Sequence, residues 1–297
     1  SVSATKSASP SRIRRILTSE AAVAYFFLLP SLIGFIVFYA VPAIRGVFIS
    51  FTDWDLLTEP NNVGFENYQR LIQDDDFIDS LRVTIAYVLW NIPIQTALAT
   101  IIAVMMDRLT KSMIVRSIIL LPWLMPNVVV ALLWLWMLDP RLGIVNVGIS
   151  ALGFDTIPFL GNPDYAIASI AGINIWRHVG YTALLIFAGL QTIPTSIYEA
   201  AEIDGANEFN KFFQITVPML RPVLVFVLVT SIIGSFQIFD TIAITTQGGP
   251  INATEVVNWL IFEQAFERFN MGYATTISIA LFLILVIVSL VQLRILR

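Results

Sequence analysis

No cysteine occurs in the 297 residues, which excludes disulfides, thiolate metal sites and cysteine nucleophiles. His178 is the single histidine, so a multi-histidine metal site is excluded as well. Charged residues make up only 13% of the chain, against roughly a quarter in soluble domains. The formal net charge of -4 leaves no basic stripe for nucleic acid. No G-x-x-x-x-G-K-[ST] phosphate loop is present, and Gly248-Gly249-Pro250 has no lysine behind it, so the sequence carries no phosphate-loop nucleotide site.

Apolar residues fill this gap: hydrophobic side chains account for 57% of the sequence and the mean hydropathy is +0.79. Six apolar stretches reach bilayer-spanning length, at 22–48, 83–106, 118–138, 166–190, 223–239 and 273–293. Only a helix satisfies its own backbone in hydrocarbon, so the expectation is an all-α membrane protein of six transmembrane helices. The first stretch is too long for a cleaved signal and is read as a retained helix. Residues 1–20 are expected to form a tail, polar and serine-rich to Ser11 and disordered there, ahead of a membrane domain at 21–297.

Short flanking segments carry an uneven share of the cations. With the N-terminus inside, Lys6, Arg12, Arg14, Arg15, Arg108, Lys111, Arg116, Lys211, Arg221, Arg294 and Arg297 fall on the cytoplasmic side, eleven of the 17. Arg45, Arg70, Arg82, Arg141 and Arg268 fall outside, and both termini are expected in the cytoplasm. The interiors of the six stretches hold no Asp or Glu; Asp107, Asp139 and Asp240 stand at ends. A proton-coupled carrier normally needs buried ionisable relays, and an intramembrane enzyme needs a nucleophile with a base, so both classes are disfavoured.

The segment 191–222, between the fourth and fifth stretches, is long and polar. Ser196 with Glu199 three residues later has capping-box spacing, which places a short helix over Tyr198, Glu199, Ala200, Ala201 and Glu202. Asp204-Gly205 then marks a turn, and a second, amphipathic helix is expected from about Asn207 to Pro218. Spacing alone leaves two readings open, a docking device for another protein or a surface connector.

Glu199-Ala200-Ala201, Asp204-Gly205-Ala206, Phe213, Ile215, Pro218 and Pro222 resemble the EAA signature of permeases in binding-protein-dependent ABC importers. Further matches lie at Leu29-Pro30, 39–55 (YAVPAIRGVFISFTDWD), 64–68 (GFENY), Leu121-Pro122, 188–191 (AGLQ) and 236–250 (FQIFDTIAITTQGGP). These resemble the carbohydrate branch, including the maltose and sn-glycerol-3-phosphate types. The resemblance implies the type I importer permease fold in a bacterial inner membrane, surrounded by lipid. It also implies a second, similar permease as heterodimer partner, two ATPase subunits holding ATP and Mg, no cofactor on this chain, and an extracytoplasmic solute-binding protein. In that family Tyr198, Glu199, Ala200, Ala201, Asp204, Gly205 and Ala206 correspond to a coupling helix seated on the ATPase. Gly248, Gly249 and Pro250, in an expected external loop, are candidates for docking the binding protein. A neutral sugar is the expected solute, with a phosphorylated polyol as the alternative.

The fourth stretch carries Asn174, Arg177, His178 and Tyr181, of which Asn174, His178 and Tyr181 share a helical face. An arginine at mid-membrane costs about 2.5–3.5 kcal/mol, while each large apolar residue returns roughly 0.3–0.6 kcal/mol, so this helix needs a bundle around it. Two readings stand: a polar solute pathway, or a structural cluster in which Arg177 bonds backbone carbonyls. Gln237 and Asp240 lean toward the pathway, whereas Asn91 and Gln95 read as interhelical glue. Asn127 beside Pro126 is a further candidate, and Trp123, Trp134 and Trp136 read as interface anchors.

Overall fold

The computed structural model describes residues 20–110 and 112–295; the expected tail lies outside this range apart from Glu20, as do Lys111 and Arg297. Among the described residues the fold is helical throughout, the only strand-like pairing being one antiparallel bridge between Thr52 and Asn62. The first helix, α1 (Glu20–Phe35), continues through a π-turn (Ile36–Ala40) into α2 (Val41–Ile49). Pro42 follows two residues after that π-turn; it has no N–H to donate and its ring crowds the carbonyl four residues back, so the wider turn relieves both. Along 24–49 the side chains are exposed, an apolar rod unsuited to water.

A short α3 (Glu66–Gln73) leads into α4 (Asp75–Leu109), the longest helix at 35 residues. Asp74 caps it by accepting from the Asp76 N–H, and Asp75, Asp76 and Arg108 complement its dipole at the two ends. Its buried residues recur every three or four positions: Thr84, Tyr87, Asn91, Gln95, Ala99, Ala103 and Met106. This stripe packs along α8 (Pro163–Leu190), whose small Ala183 clusters with Ala99 and Ala103 and allows close approach. Between them in sequence lie α5 (Met113–Leu124), α6 (Asn127–Met137) and α7 (Ile144–Ala151).

The stretch expected as one straight span at 118–138 is broken: α5 and α6 meet at 92°. Pro126 supplies the reason, because it drives Met125 into an extended conformation (φ -75°, ψ 140°) and caps α6 in turn. The fifth stretch, at 223–239, is one helix that ends in a break: α12 (Arg221–Phe236) stops at Gln237 and α13 (Asp240–Thr245) starts after Phe239. α14 (Val257–Phe262) passes through a π-turn (Glu263–Glu267), and α15 (Met271–Ile295) closes the chain.

Among the described residues, four helical stretches are long and apolar enough to cross a membrane, and the bent α5–α6 pair makes a fifth if it is one span. The long α8 is not among them, because Asn174, Arg177 and His178 dilute its hydropathy. Two apolar cores sit toward opposite ends of α4. One gathers Tyr87, Trp259, Tyr273 and Ile277, the other Ala103, Met106, Ile186, Ile193 and Leu220.

Candidate functional site

Between the cores the packing opens into a cavity of about 280 Å³, walled by α4, α5, α6, α8, α12 and α13. Asn174, Arg177, His178, Tyr181, Gln237 and Asp240 all line it, as do Asn91, Gln95, Asn127 and Thr182. Sequence spacing grouped these residues within single helices; the fold brings six segments to one space. Both helix interruptions, at Met125–Pro126 and at Gln237–Phe239, border the same cavity. Irregular backbone at membrane depth is tolerated where it is buried in protein or faces a watered space, and here it coincides with the polar wall.

Helix-to-helix hydrogen bonds hold that wall. Asn91 Nδ2 donates to Ser235 Oγ at 2.9 Å, tying α4 to α12, and Gln95 Nε2 donates to Thr182 Oγ1 at 2.9 Å, tying α4 to α8. Asn174 Nδ2 donates to Ile170 O at 3.1 Å and Thr241 Oγ1 at 3.4 Å. Asn127 Nδ2 donates to Asp240 Oδ2, joining the restarted ends of α6 and α13. The residues read as glue are therefore interhelical ties that also face the cavity.

Arg177 occupies the α5–α6 break. Its Nη2 donates to Met125 O at 3.1 Å and Trp123 O at 3.4 Å, and Nε reaches Met125 O at 3.4 Å. Those carbonyls belong to the end of α5, where a helix leaves acceptors unpaired and its dipole favours a cation. Arg177 Nη1 meets His178 Nε2 at 2.9 Å while His178 Nδ1 meets Asn174 O at 2.9 Å. The arrangement fits a neutral imidazole that donates from Nδ1 and accepts at Nε2. Arg177 thus bonds backbone carbonyls and lines the cavity at once.

Trp123 corrects the anchor reading: it stacks on Tyr181 with ring centroids 4.5 Å apart and planes 9° from parallel, inside the cavity wall. Trp134 packs edge-on against Trp176, and Trp136 alone of the three is largely exposed. Composition gives no sign of this difference, because an aromatic beside a proline break and one at a helix end look alike in sequence.

At one end of the bundle α9 (Thr195–Ile203) projects with no buried residue. It begins two residues earlier than the capping-box spacing suggested: Pro194 is the N-cap and makes no side-chain cap bond, so Ser196 is already helical. Gly205 has φ +77°, and the Gly205 N–H to Glu202 O (3.0 Å) and Ala206 N–H to Ala201 O (2.9 Å) bonds form a Schellman turn. Glu199, Ala200 and Asp204 are exposed, Tyr198, Ala201 and Ala206 half-buried. Ile203, which the sequence reading passed over, is 88% exposed beside them. After the turn, α10 (Glu208–Lys211) is capped by Asn207 Oδ1 accepting from the Asn210 N–H at 2.8 Å. A π-turn (Phe212–Thr216) then precedes α11 (Val217–Met219) and its Pro218.

Toward the other end of α4, the loop with Gly248, Gly249 and Pro250 folds back on itself. Thr254 Oγ1 donates to Gly249 O at 2.6 Å, and the Thr254 N–H to Gly248 O at 3.1 Å. Gly248 does not reach the surface: it is buried, and a Cβ there would lie 2.7 Å from Trp259 Nε1. Gln247, Ile251 and Asn252 form the exposed tip instead, all with positive φ. Nearby, Glu255 is buried; burial foremost, then Glu263 and Asp76, push its carboxyl up to about 7.

Comparison with known proteins agrees with this architecture. Residues 75–297 match the family described as "Binding-protein-dependent transport system inner membrane component". The probable ABC transporter permease protein YesP of Bacillus subtilis is 34% identical over 94% of this chain and 91% of its own. The trehalose/maltose transport system permease protein MalF of Thermococcus litoralis is 34% identical over 93% of this chain and 94% of its own. In fold, the chain superimposes on one from a bacterial ABC transporter involved in the import of the acidic polysaccharide alginate. That match has a TM-score of 0.81 and 23% identity, covering 93% of this chain and 95% of the other. A broken-helix cavity at the centre, an EAA loop at one end and these relatives converge, and the chain belongs to the binding-protein-dependent transport system inner membrane components.

Proposed function

We propose that this chain is one of two permease subunits in an ATP-driven importer of a neutral carbohydrate. The carrying observation is the cavity, where two helix breaks and polar side chains from six segments meet inside an apolar bundle. Amides at Asn91, Gln95, Asn127, Asn174 and Gln237 offer donors and acceptors to hydroxyl groups, and the Trp123–Tyr181 stack offers an apolar face to a sugar ring. The solute class follows from charge. Arg177, the cation of the lining, is already engaged by two carbonyls and an imidazole, and Asp240 stands as counter-charge. A phosphate group would find no free guanidinium there. The kinship with the trehalose/maltose permease supports the same reading.

In this proposal six spans cross the membrane: α1–α2, α4, α5–α6, α8, α12–α13 and α15. At 28 residues α8 is long enough, about 42 Å at 1.5 Å per residue. The carbonyls of α5 and the other cavity groups offset the burial cost of Arg177. Both termini and the 191–222 loop face the cytoplasm, in keeping with the excess of Lys and Arg on that side. There α9 is the coupling helix, its exposed Glu199, Ala200, Ile203 and Asp204 seated on one of two ATPase subunits that carry ATP and Mg. A loaded extracytoplasmic binding protein docks on the opposite loops, the tip at Gln247 to Asn252 among them. ATP binding closes the ATPases, drags α9, and tilts the two permeases from inward-facing to outward-facing; differential contact in the two states drives the switch.

The test is transport by the intact complex with Asn174, His178 and Tyr181 each replaced by alanine. Slowed uptake or altered solute preference, with assembly retained, is expected. Unchanged rate and preference in all three would remove the cavity from the pathway.

A further inference from the structure

The helix α9 lies almost detached from the bundle, with little backbone packed against neighbouring helices. Among the described residues, two of its side chains hydrogen-bond to the rest: Tyr198, whose OH lies 2.9 Å from Thr216 Oγ1, and Glu202. Glu202 Oε1 accepts from Lys211 Nζ at 2.6 Å, and the same ammonium donates to Glu208 Oε1 at 3.0 Å. The other oxygen of Glu208 takes Arg108 Nη1, in the last turn of α4. Charges therefore alternate along one chain, Glu202–Lys211–Glu208–Arg108, from the free-standing helix to the longest helix of the bundle.

Lys211 is the unusual member. Its side chain is only 6% exposed while the two carboxylates are 64% and 62% exposed. It is shielded by its partners at the edge of the bundle rather than sunk in the interior. The hydrogen bond it donates to Glu202, then that to Glu208, hold its ammonium above the ordinary lysine range. Lys211 and then Arg108 hold Glu208 below the carboxylate range. Lys211 and Glu208 are therefore each held in the charged form by their partners, which keeps the middle of the chain closed at neutral pH. Isolated surface pairs contribute little, but a shielded cation shared by two carboxylates restricts geometry, because a single ammonium must satisfy both at once.

From Arg108 the path continues along α4, whose Gln95 and Asn91 hold Thr182 and Ser235 at the cavity wall. We propose that the Glu202–Lys211–Glu208–Arg108 chain is the strut that carries movement of α9 into α4, and that Lys211 is its positioning residue. This rests on α9 being the coupling helix. It adds that the push enters the bundle through α4, and not solely through the backbone of α10 and α12.

The experiment uses the reconstituted complex of both permeases, ATPases and binding protein, and measures solute moved per ATP hydrolysed. Lys211→Met should lower that ratio about fivefold or more, the smallest effect of a coupling of ordinary strength. Lys211→Arg, which keeps the charge and two-carboxylate contact, should retain most of it. Glu202→Gln, an exposed change that leaves folding aside, should lower the ratio likewise. The double variant should be no worse than either single change, since all of them open one chain. Gly205→Val, which disturbs the docking turn itself, is the control. If it lowers the ratio while Lys211→Met and Glu202→Gln do not, the strut is overturned and the coupling role of α9 stands. If none of the three moves the ratio, the coupling role itself fails. Lower thermal stability with an unchanged ratio also overturns the strut, because it marks a merely structural ion pair. Should Lys211→Met not assemble, Glu202→Gln decides alone.

Discussion

Replacing Glu255 by glutamine should make the folded chain more stable at alkaline pH and leave it unchanged in acid. Glu255 is 7% exposed and accepts no side-chain hydrogen bond among the described residues. Arg268, the cation whose charge acts on it, is committed to Glu263 at 2.9 Å and to Asp76 at 3.7 Å. Burial first, then the Glu263, Asp76 and Asp74 charges against the partial relief of Arg268, raise the carboxyl from 4.5 to about 7. Between those values the folded chain keeps a proton that the unfolded chain releases, so stability falls as pH rises across this window and levels above it. The gap corresponds to about 3 kcal/mol at most. Glutamine matches the protonated shape and does not titrate. Thermal unfolding in nanodiscs from pH 4.5 to 8 should therefore show wild type and Glu255→Gln together at the acid end and the variant several degrees higher at the other. A constant offset across the range, or a variant less stable at pH 8, would refute the reasoning.

At Gly180, a Cβ would lie 2.0 Å from Ile119 O, so Gly180→Ala must push α5 away from α8 and part the Trp123–Tyr181 stack. A loss of about 1–3 kcal/mol is expected for such overpacking, read as a lower unfolding temperature together with slower uptake. Arg177→Lys keeps a charge but loses the planar fork that spans Trp123 O, Met125 O and His178. Its transport should fall well below wild type in complexes that still assemble, and wild-type uptake would remove Arg177 from the break. Gly205→Val forces a branched side chain into φ +77°, a strain of about 1–2 kcal/mol, and should uncouple hydrolysis from transport, read as less solute taken up per ATP hydrolysed.

How much of this was legible in the sequence varies by element. Apolar length marks α4 and α15 directly, and the Asp204-Gly205 pair marks the Schellman turn because few residues other than glycine tolerate that backbone. The loop 191–222 was readable for the same reason, since its signals are local. The cavity was legible only as parts. Asn174, Arg177, His178 and Tyr181 stand out against an apolar helix, but nothing local says that Gln237 and Asp240, more than fifty residues on, face the same space. The role of Arg177 depends on where α5 ends, which Pro126 decides from another segment. Trp123 was misassigned because its partner Tyr181 is distant in sequence. The strut was equally hidden: Arg108 and Glu208 lie a hundred positions apart, and each alone reads as an ordinary solvated charge.

The central claim is that this bundle is a gated half-pathway worked by a separate ATPase through α9. Its most direct measurement is uptake of a labelled sugar into proteoliposomes holding this chain, its partner permease and the ATPases, with and without ATP and the loaded binding protein. The account predicts accumulation only when both are supplied, and its loss when the coupling turn at Gly205 is altered. Accumulation by the two permeases alone, with no ATPase present, would contradict it.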